Sequence, residues 1–200
     1  MPFTEQKFNI PDLKGISKKN IEEHLKLYAG YVKHANLILE KIPEYRGYTK
    51  EDAFAPYAVS EIQRRFSFEF NGMRNHEVYF RSLEGEPKAL SQESSLAKAL
   101  GQEWGSFDAW LAEFKATALT RGIGWAMLYW DPSSKQLLNA WVDEQHLGQL
   151  QNCALILGLD MWEHSFVFDY QPSGKKNYVE DFFANLNWGV IEKNFVEATK

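Results

Sequence analysis

From Ile21 to Leu39 the apolar residues recur at three- and four-residue spacing: Ile21, Leu25, Tyr28, Tyr31, Val32, Ala35 and Leu39, with His24 on the same stripe. That period predicts a helix. Ser17 suits its N-cap, and Pro43 predicts its end, with a loop through Tyr45-Arg46-Gly47-Tyr48. Residues 1–16, punctuated by Pro11 and Gly15, read as extended. A second helical period covers 57–83 through Ile62, Phe66, Phe70, Met73, Tyr79 and Phe80. Gly72 lowers helix propensity in its middle. The two segments predict an antiparallel pair of long helices.

At Glu84-Gly85-Glu86-Pro87 two helix breakers lie between solvated glutamates. We place a domain boundary there, with a helical hairpin over 1–86 and a second domain over 87–200. In the second domain the pattern shortens. Residues 92–101 and 106–120 predict helices, the latter opening at Ser106. The bulky run Gly124-Trp125-Ala126-Met127-Leu128-Tyr129-Trp130 predicts a strand. Asp131-Pro132-Ser133-Ser134 predicts a turn, 136–142 the returning strand, and Ala154–Leu159 a third. Asn177–Leu186 and Gly189–Ala198 predict closing helices.

Composition narrows the class. With 44% hydrophobic and 15% aromatic residues in 200, the chain can bury a sizeable core. The net charge of -5 is spread along the chain, and no basic block predicts a nucleic-acid partner. No apolar run is long enough to span a membrane, and the first residues lack the pattern of a secretory signal. A single cysteine, Cys153, excludes an intrachain disulfide and a cysteine-based metal site; it reads as a small buried hydrophobe. The expected setting is cytoplasmic.

Candidate chemistry centres on Asp160-Met161-Trp162-Glu163-His164, where a carboxylate and an imidazole stand four residues apart. Alone, such a pair is common on ordinary helix faces, and His24 or His76 alone would read as a core histidine. Together, three imidazoles and one carboxylate form a donor set that suits one transition ion. A buried, unpaired Asp160 would otherwise be costly. His34, beside Lys33 and Asn36, reads as surface, as do Glu180 and Asp181.

Several motifs carry a resemblance. Asp160-Met161-Trp162-Glu163-His164 with Asp169-Tyr170, then Asn177-Tyr178-Val179-Glu180-Asp181-Phe182-Phe183 and Asn187-Trp188, resemble the C-terminal signatures of the iron/manganese superoxide dismutases. Gly105-Ser106-Phe107, Gly124-Trp125, Ile21-Glu22-Glu23-His24 and Asn75-His76 fall where that family has comparable motifs. The resemblance implies an α+β fold: an N-terminal helical hairpin, then an α/β lobe with a three-stranded antiparallel sheet. It implies one iron or manganese ion held by His24, His76, Asp160 and His164, superoxide as substrate, and a homodimer through the Glu163-His164 region. It also implies an outer Gln or His that hydrogen-bonds a water on the ion. Here Gln145 and His146 are adjacent and both stand as candidates. The corresponding position in the N-terminal half is Gly72. Gly158 leans towards manganese and a histidine donor towards iron or mixed use, so the metal stays open between the two.

The chain departs from the family at its access funnel. Tyr31 is read as the gate tyrosine, one residue closer to His24 than usual. Tyr28 is read as replacing a funnel histidine, and Val167 the tyrosine that bonds it across the dimer. Trp125, Trp162 and Trp188 suit either core or pocket lining. The altered funnel motivates a second reading, a related metal-binding or structural protein with little turnover. A third is a related redox enzyme with peroxidase-like side activity.

Overall fold

The computed structural model describes residues 1–47 and 52–200. Helix α1 spans Lys18–Gly47 and α2 spans Ala55–Ser82, and they pack along one another as a hairpin. Ser17 opens α1: its Oγ accepts from Asn20 N at 3.1 Å. Pro43 does not end α1, contrary to the sequence expectation, and Tyr45, Arg46 and Gly47 are helical; Tyr48 lies outside the described residues. Pro43 removes only the bond to the Leu39 carbonyl. Leu39 and the last turn are exposed, so water can satisfy that carbonyl.

Helices α3 (Ser95–Trp104) and α4 (Phe107–Ala118) follow, capped by Ser94 and Ser106, whose side chains accept from Ala97 N and Ala109 N. Gly105 joins them at φ 84°, a left-handed conformation that favours glycine. Strands β1 (Gly124–Asp131), β2 (Gln136–Asp143) and β3 (Ala154–Asp160) form one antiparallel sheet with β1 in the middle. Residues 124–129 of β1 are buried on both faces, which is why it reads as a continuous apolar run rather than an alternation. Helices α5 (Lys175–Asn185) and α6 (Trp188–Ala198) close the chain. The predicted fold class is the observed one.

Two features of this architecture position the site. The register pairs Trp125 with Asp160, so β3 delivers its terminal carboxylate beside the indole of the central strand. The segment after α2 is tied on both sides. Gly85 N donates to Asn9 O, Asn187 N to Ser82 O and Lys88 N to Leu186 O. No helix among the described residues is long and apolar enough to cross a membrane.

Candidate metal centre

His24 lies on the buried stripe of α1, and His76 on the face of α2 packed against it. Asp160 ends β3. His164 lies in the short 3-10 turn Glu163–Ser165 that follows. That turn is built around Asp160. Trp162 N donates to Asp160 Oδ1 at 2.8 Å, and Ser165 Oγ and Tyr178 Oη each donate to the Asp160 carbonyl at 3.0 Å. The chain therefore doubles back and brings the His164 ring over the carboxylate.

Four donor atoms from three parts of the chain converge within 4.8 Å of one another. Asp160 Oδ2 is 3.2 Å from His24 Nε2, 3.2 Å from His164 Nε2 and 3.4 Å from His76 Nε2. An ion bonded at about 2.0–2.2 Å to nitrogen and oxygen donors separates them by about 3–4 Å, so the spacing suits a single ion.

Protonation sharpens the test. His76 Nδ1 is 2.6 Å from the Gly72 carbonyl, which can only accept. Nδ1 therefore carries the proton, and the Nε2 lone pair faces a carboxylate oxygen. That nitrogen is buried and has no hydrogen-bond partner. Two facing lone pairs in a dry site repel unless a cation lies between them. Burial, and then the neighbouring His24, push the His76 pKa down to about 3, so the ring is not the cation. Burial also lowers His24. For Asp160, burial acts to raise the pKa, but His164 and His24 outweigh it and hold the carboxyl well below its usual range. The result is two buried neutral imidazoles, His24 and His76, and the half-buried His164 around one carboxylate, a set that an iron or manganese ion fits.

A second layer surrounds these donors. Trp125 Nε1, which can only donate, is 3.0 Å from Gln145 Oε1. This fixes the orientation of the amide. Gln145 Nε2 then donates to Tyr31 Oη at 3.0 Å. Gln145 is fully buried, and its carbonyl accepts from Asn75 Nδ2 at 2.9 Å. The Tyr31 ring lies 5.0 Å from the His76 ring. Because Gln145 is the donor in that pair, the Tyr31 hydrogen remains uncommitted. Burial, then Asp160 and Glu69, raise the Tyr31 pKa and keep the proton on. His146 is placed elsewhere. Its ring packs edge-on against Phe68 at 5.7 Å, and its Nδ1 has no partner. Both residues lie in the turn after β2, so strand alternation does not decide between them. Glu144, at φ 52°, opens that turn, and the two side chains leave it towards different partners.

Tyr28 does not line the cleft beside Tyr31 and Trp162, contrary to the sequence expectation. Its hydroxyl accepts from Gln6 N at 2.9 Å and lies 3.3 Å from Glu77 Oε1, facing the N-terminal segment. Leu27, one residue earlier, lines the cleft with Tyr31 and Trp162. Helical geometry explains the difference, since one residue turns the side chain by about 100°. Val167 and Glu163 are exposed. Trp125 and Trp162 pack on His76 and His164, at 5.1 and 5.6 Å. Trp188 instead packs on Phe107, Trp110 and Phe183, away from the donors. Asp181 is not plain surface: it is half-buried and accepts from Tyr170 Oη at 2.8 Å.

Sequence reasoning missed the Tyr79–Tyr178 pair, 3.2 Å apart at their hydroxyls, which links α2 to the Asp160 carbonyl. Nothing in the local pattern marks either tyrosine as more than core. Arg65 and Glu69 of α2, paired at 3.0 Å, line the cleft beside Tyr31, and the sequence pattern did not single them out. Glu69, seven residues before His76 and on the same helix face, was a detectable signal.

Comparisons with known proteins agree with this geometry. Residues 92–194 match the family profile "Iron/manganese superoxide dismutases, C-terminal domain". Over 94% of its length the chain is 34% identical to the protein named Superoxide dismutase [Fe] of Cupriavidus metallidurans, covering 92% of that protein. It is 33% identical to Superoxide dismutase [Mn/Fe] of Propionibacterium freudenreichii subsp. shermanii, over 88% of this chain and 85% of the relative. To Superoxide dismutase [Mn] of Mycobacterium intracellulare it is 32% identical, over 88% and 82%. The names of these relatives span both metals, and the profile match covers β3 and the turn that carry Asp160 and His164. On these grounds the chain belongs to the iron/manganese superoxide dismutases.

Proposed function

We propose that the protein disproportionates superoxide at one iron or manganese ion per subunit, held by His24, His76, Asp160 and His164. Residues 1–86 and 87–200, read as two lobes, then supply two ligands each. Two superoxide anions and two protons yield one dioxygen and one hydrogen peroxide. One-electron redox chemistry is what a bound iron or manganese supplies. The observation that carries the reading is the bare His76 Nε2, buried without a partner and 3.4 Å from Asp160 Oδ2.

The remaining chemistry belongs to the chain. One carboxylate and neutral imidazoles do not cancel the charge of a divalent or trivalent cation, so the site attracts a small anion. Tyr31, with its hydrogen uncommitted, is the group that meets the anion and steadies it by hydrogen bonding. Gln145 holds Tyr31 and is itself held by Trp125; we assign the outer donor role to Gln145 rather than His146. The indole rings of Trp125 and Trp162 exclude water around the ligands. A homodimer through the Glu163-His164 region is part of the proposal, supported by the exposed apolar pair Val167 and Phe168 beside His164. The reading of little turnover rested on Tyr28 and Val167 together, and Tyr28 faces Gln6 and Glu77 instead of the cleft.

The test is superoxide dismutation per bound metal atom, on protein loaded separately with iron and with manganese. High turnover in either form is the expected result, and the form that shows it names the metal. Stoichiometric metal with negligible turnover in both forms would overturn the proposal.

A further inference from the structure

A cleft of about 280 Å3 opens beside Tyr31 and Trp162, and Arg65, Phe68, Glu69 and His34 line it. Glu69 is the unexpected group. Its carboxylate side chain is only 7% exposed, yet it lines the route an anion would take to Tyr31. Left alone it would repel that anion. Arg65 pairs with it: Nε donates to Glu69 Oε1 at 3.0 Å. The guanidinium carbon also sits 3.5 Å from the centre of the Phe68 ring. One edge and one face of the guanidinium are thereby committed. The side chain still remains 45% exposed, and among the described residues its two terminal nitrogens make no hydrogen bond. His34 approaches the other carboxylate oxygen, with Nδ1 3.7 Å from Glu69 Oε2. Phe68 connects this group to the site, because the Tyr31 ring lies 5.9 Å from it.

We propose that Arg65 is an anion-docking residue at the mouth of this cleft, and that Glu69 is the positioning residue that orients it and moderates its charge. The inference rests on the superoxide reading for the identity of the anion. A guanidinium fixed by a carboxylate and an aromatic face offers its remaining N–H groups in a set geometry, with little ordering cost when an anion arrives. Charge placed in a cleft also focuses the field and raises the rate of encounter. The two partners therefore have opposite effects. Removing Arg65 leaves a bare carboxylate on the route, whereas neutralising Glu69 leaves a bare cation.

The test uses metal-loaded protein and the variants Arg65→Met, Arg65→Lys and Glu69→Gln. The first readout is kcat/KM for superoxide across ionic strength. The second, independent of turnover, is the affinity of azide by calorimetry. Arg65→Met should lower both by about fivefold at low salt, and Glu69→Gln should raise both. Arg65→Lys, which keeps the charge but loses the fixed N–H fork, should fall between the parent and Arg65→Met. The differences should collapse near 1 M salt, where screening acts within about 3 Å. The inference fails if Arg65→Met keeps the parent's salt slope and azide affinity. It also fails if Arg65→Met and Glu69→Gln shift in the same direction, the mark of a merely structural pair. Should the parent bind azide with the expected order of variants but not turn over, the docking assignment stands and the superoxide reading falls. Should the parent turn over without that order, the docking assignment falls alone.

Discussion

Gly72→Ala should destabilise the protein although alanine is the better helix former. Gly72 lies within α2, beneath Tyr31. A Cβ there would stand 2.6 Å from Tyr31 Cδ1, 2.7 Å from Cε1 and 3.0 Å from Cγ. Carbon atoms settle at about 3.5–4.0 Å, so the ring must retreat by about 1 Å. Tyr31 Oη is 3.0 Å from Gln145 Nε2, and such a retreat takes it out of hydrogen-bonding range. Three terms then compete. Propensity favours alanine by about 1 kcal/mol. Overpacking costs about 1–3 kcal/mol. The lost hydrogen bond costs about 1 kcal/mol. The expected net is a loss of about 1–3 kcal/mol, read by urea unfolding of the metal-free protein. A double-mutant cycle isolates the cause. With Tyr31→Ala as background the clash is gone, and Gly72→Ala should stabilise by about 1 kcal/mol. A gain of that size with Tyr31 in place would refute the claim that the ring rests on Gly72.

Three further outcomes follow from the donor set. His76→Ala should abolish metal retention and dismutation together, since it removes one of four converging donors; full metal content by elemental analysis would contradict the ligand assignment. The metal-free protein should lose stability as the pH falls below 6.5 towards about 3. In that window the unfolded chain binds a proton at His76 that the folded site refuses, with His24 and Asp160 acting in the same direction. The slope should approach about 1.4 kcal/mol per pH unit for each histidine involved, and a flat profile in thermal unfolding would count against neutral buried rings. Gln145→Ala should cost about 10–100-fold in turnover per metal, and His146→Ala clearly less. A larger loss at His146 would reverse the assignment of the outer donor.

The helices, strands and donor types were legible in the sequence because they depend on local order. The stripe from Ile21 to Leu39, the bulky run at β1 and the serines at 17 and 106 encode elements through spacing and capping alone. Asp160 and His164 were readable as a pair because four residues separate them. What the sequence could not decide were matters of rotation and of partners distant along the chain. Tyr28 and Leu27 differ by one helical step, and only the packing of α1 on α2 shows which of them faces the cleft. Gln145 and His146 share a turn whose backbone, not strand alternation, turns the amide towards Trp125 and Tyr31. Pro43 looked like a helix end, but the exposed last turn of α1 tolerates the lost hydrogen bond. The Tyr79–Tyr178 contact and the Arg65–Glu69–Phe68 group gain their meaning from what they touch. Local sequence specifies which groups exist and which element carries them, while burial and contact between distant segments decide which lone pairs are bare, which charges are paired and which side chain meets the anion.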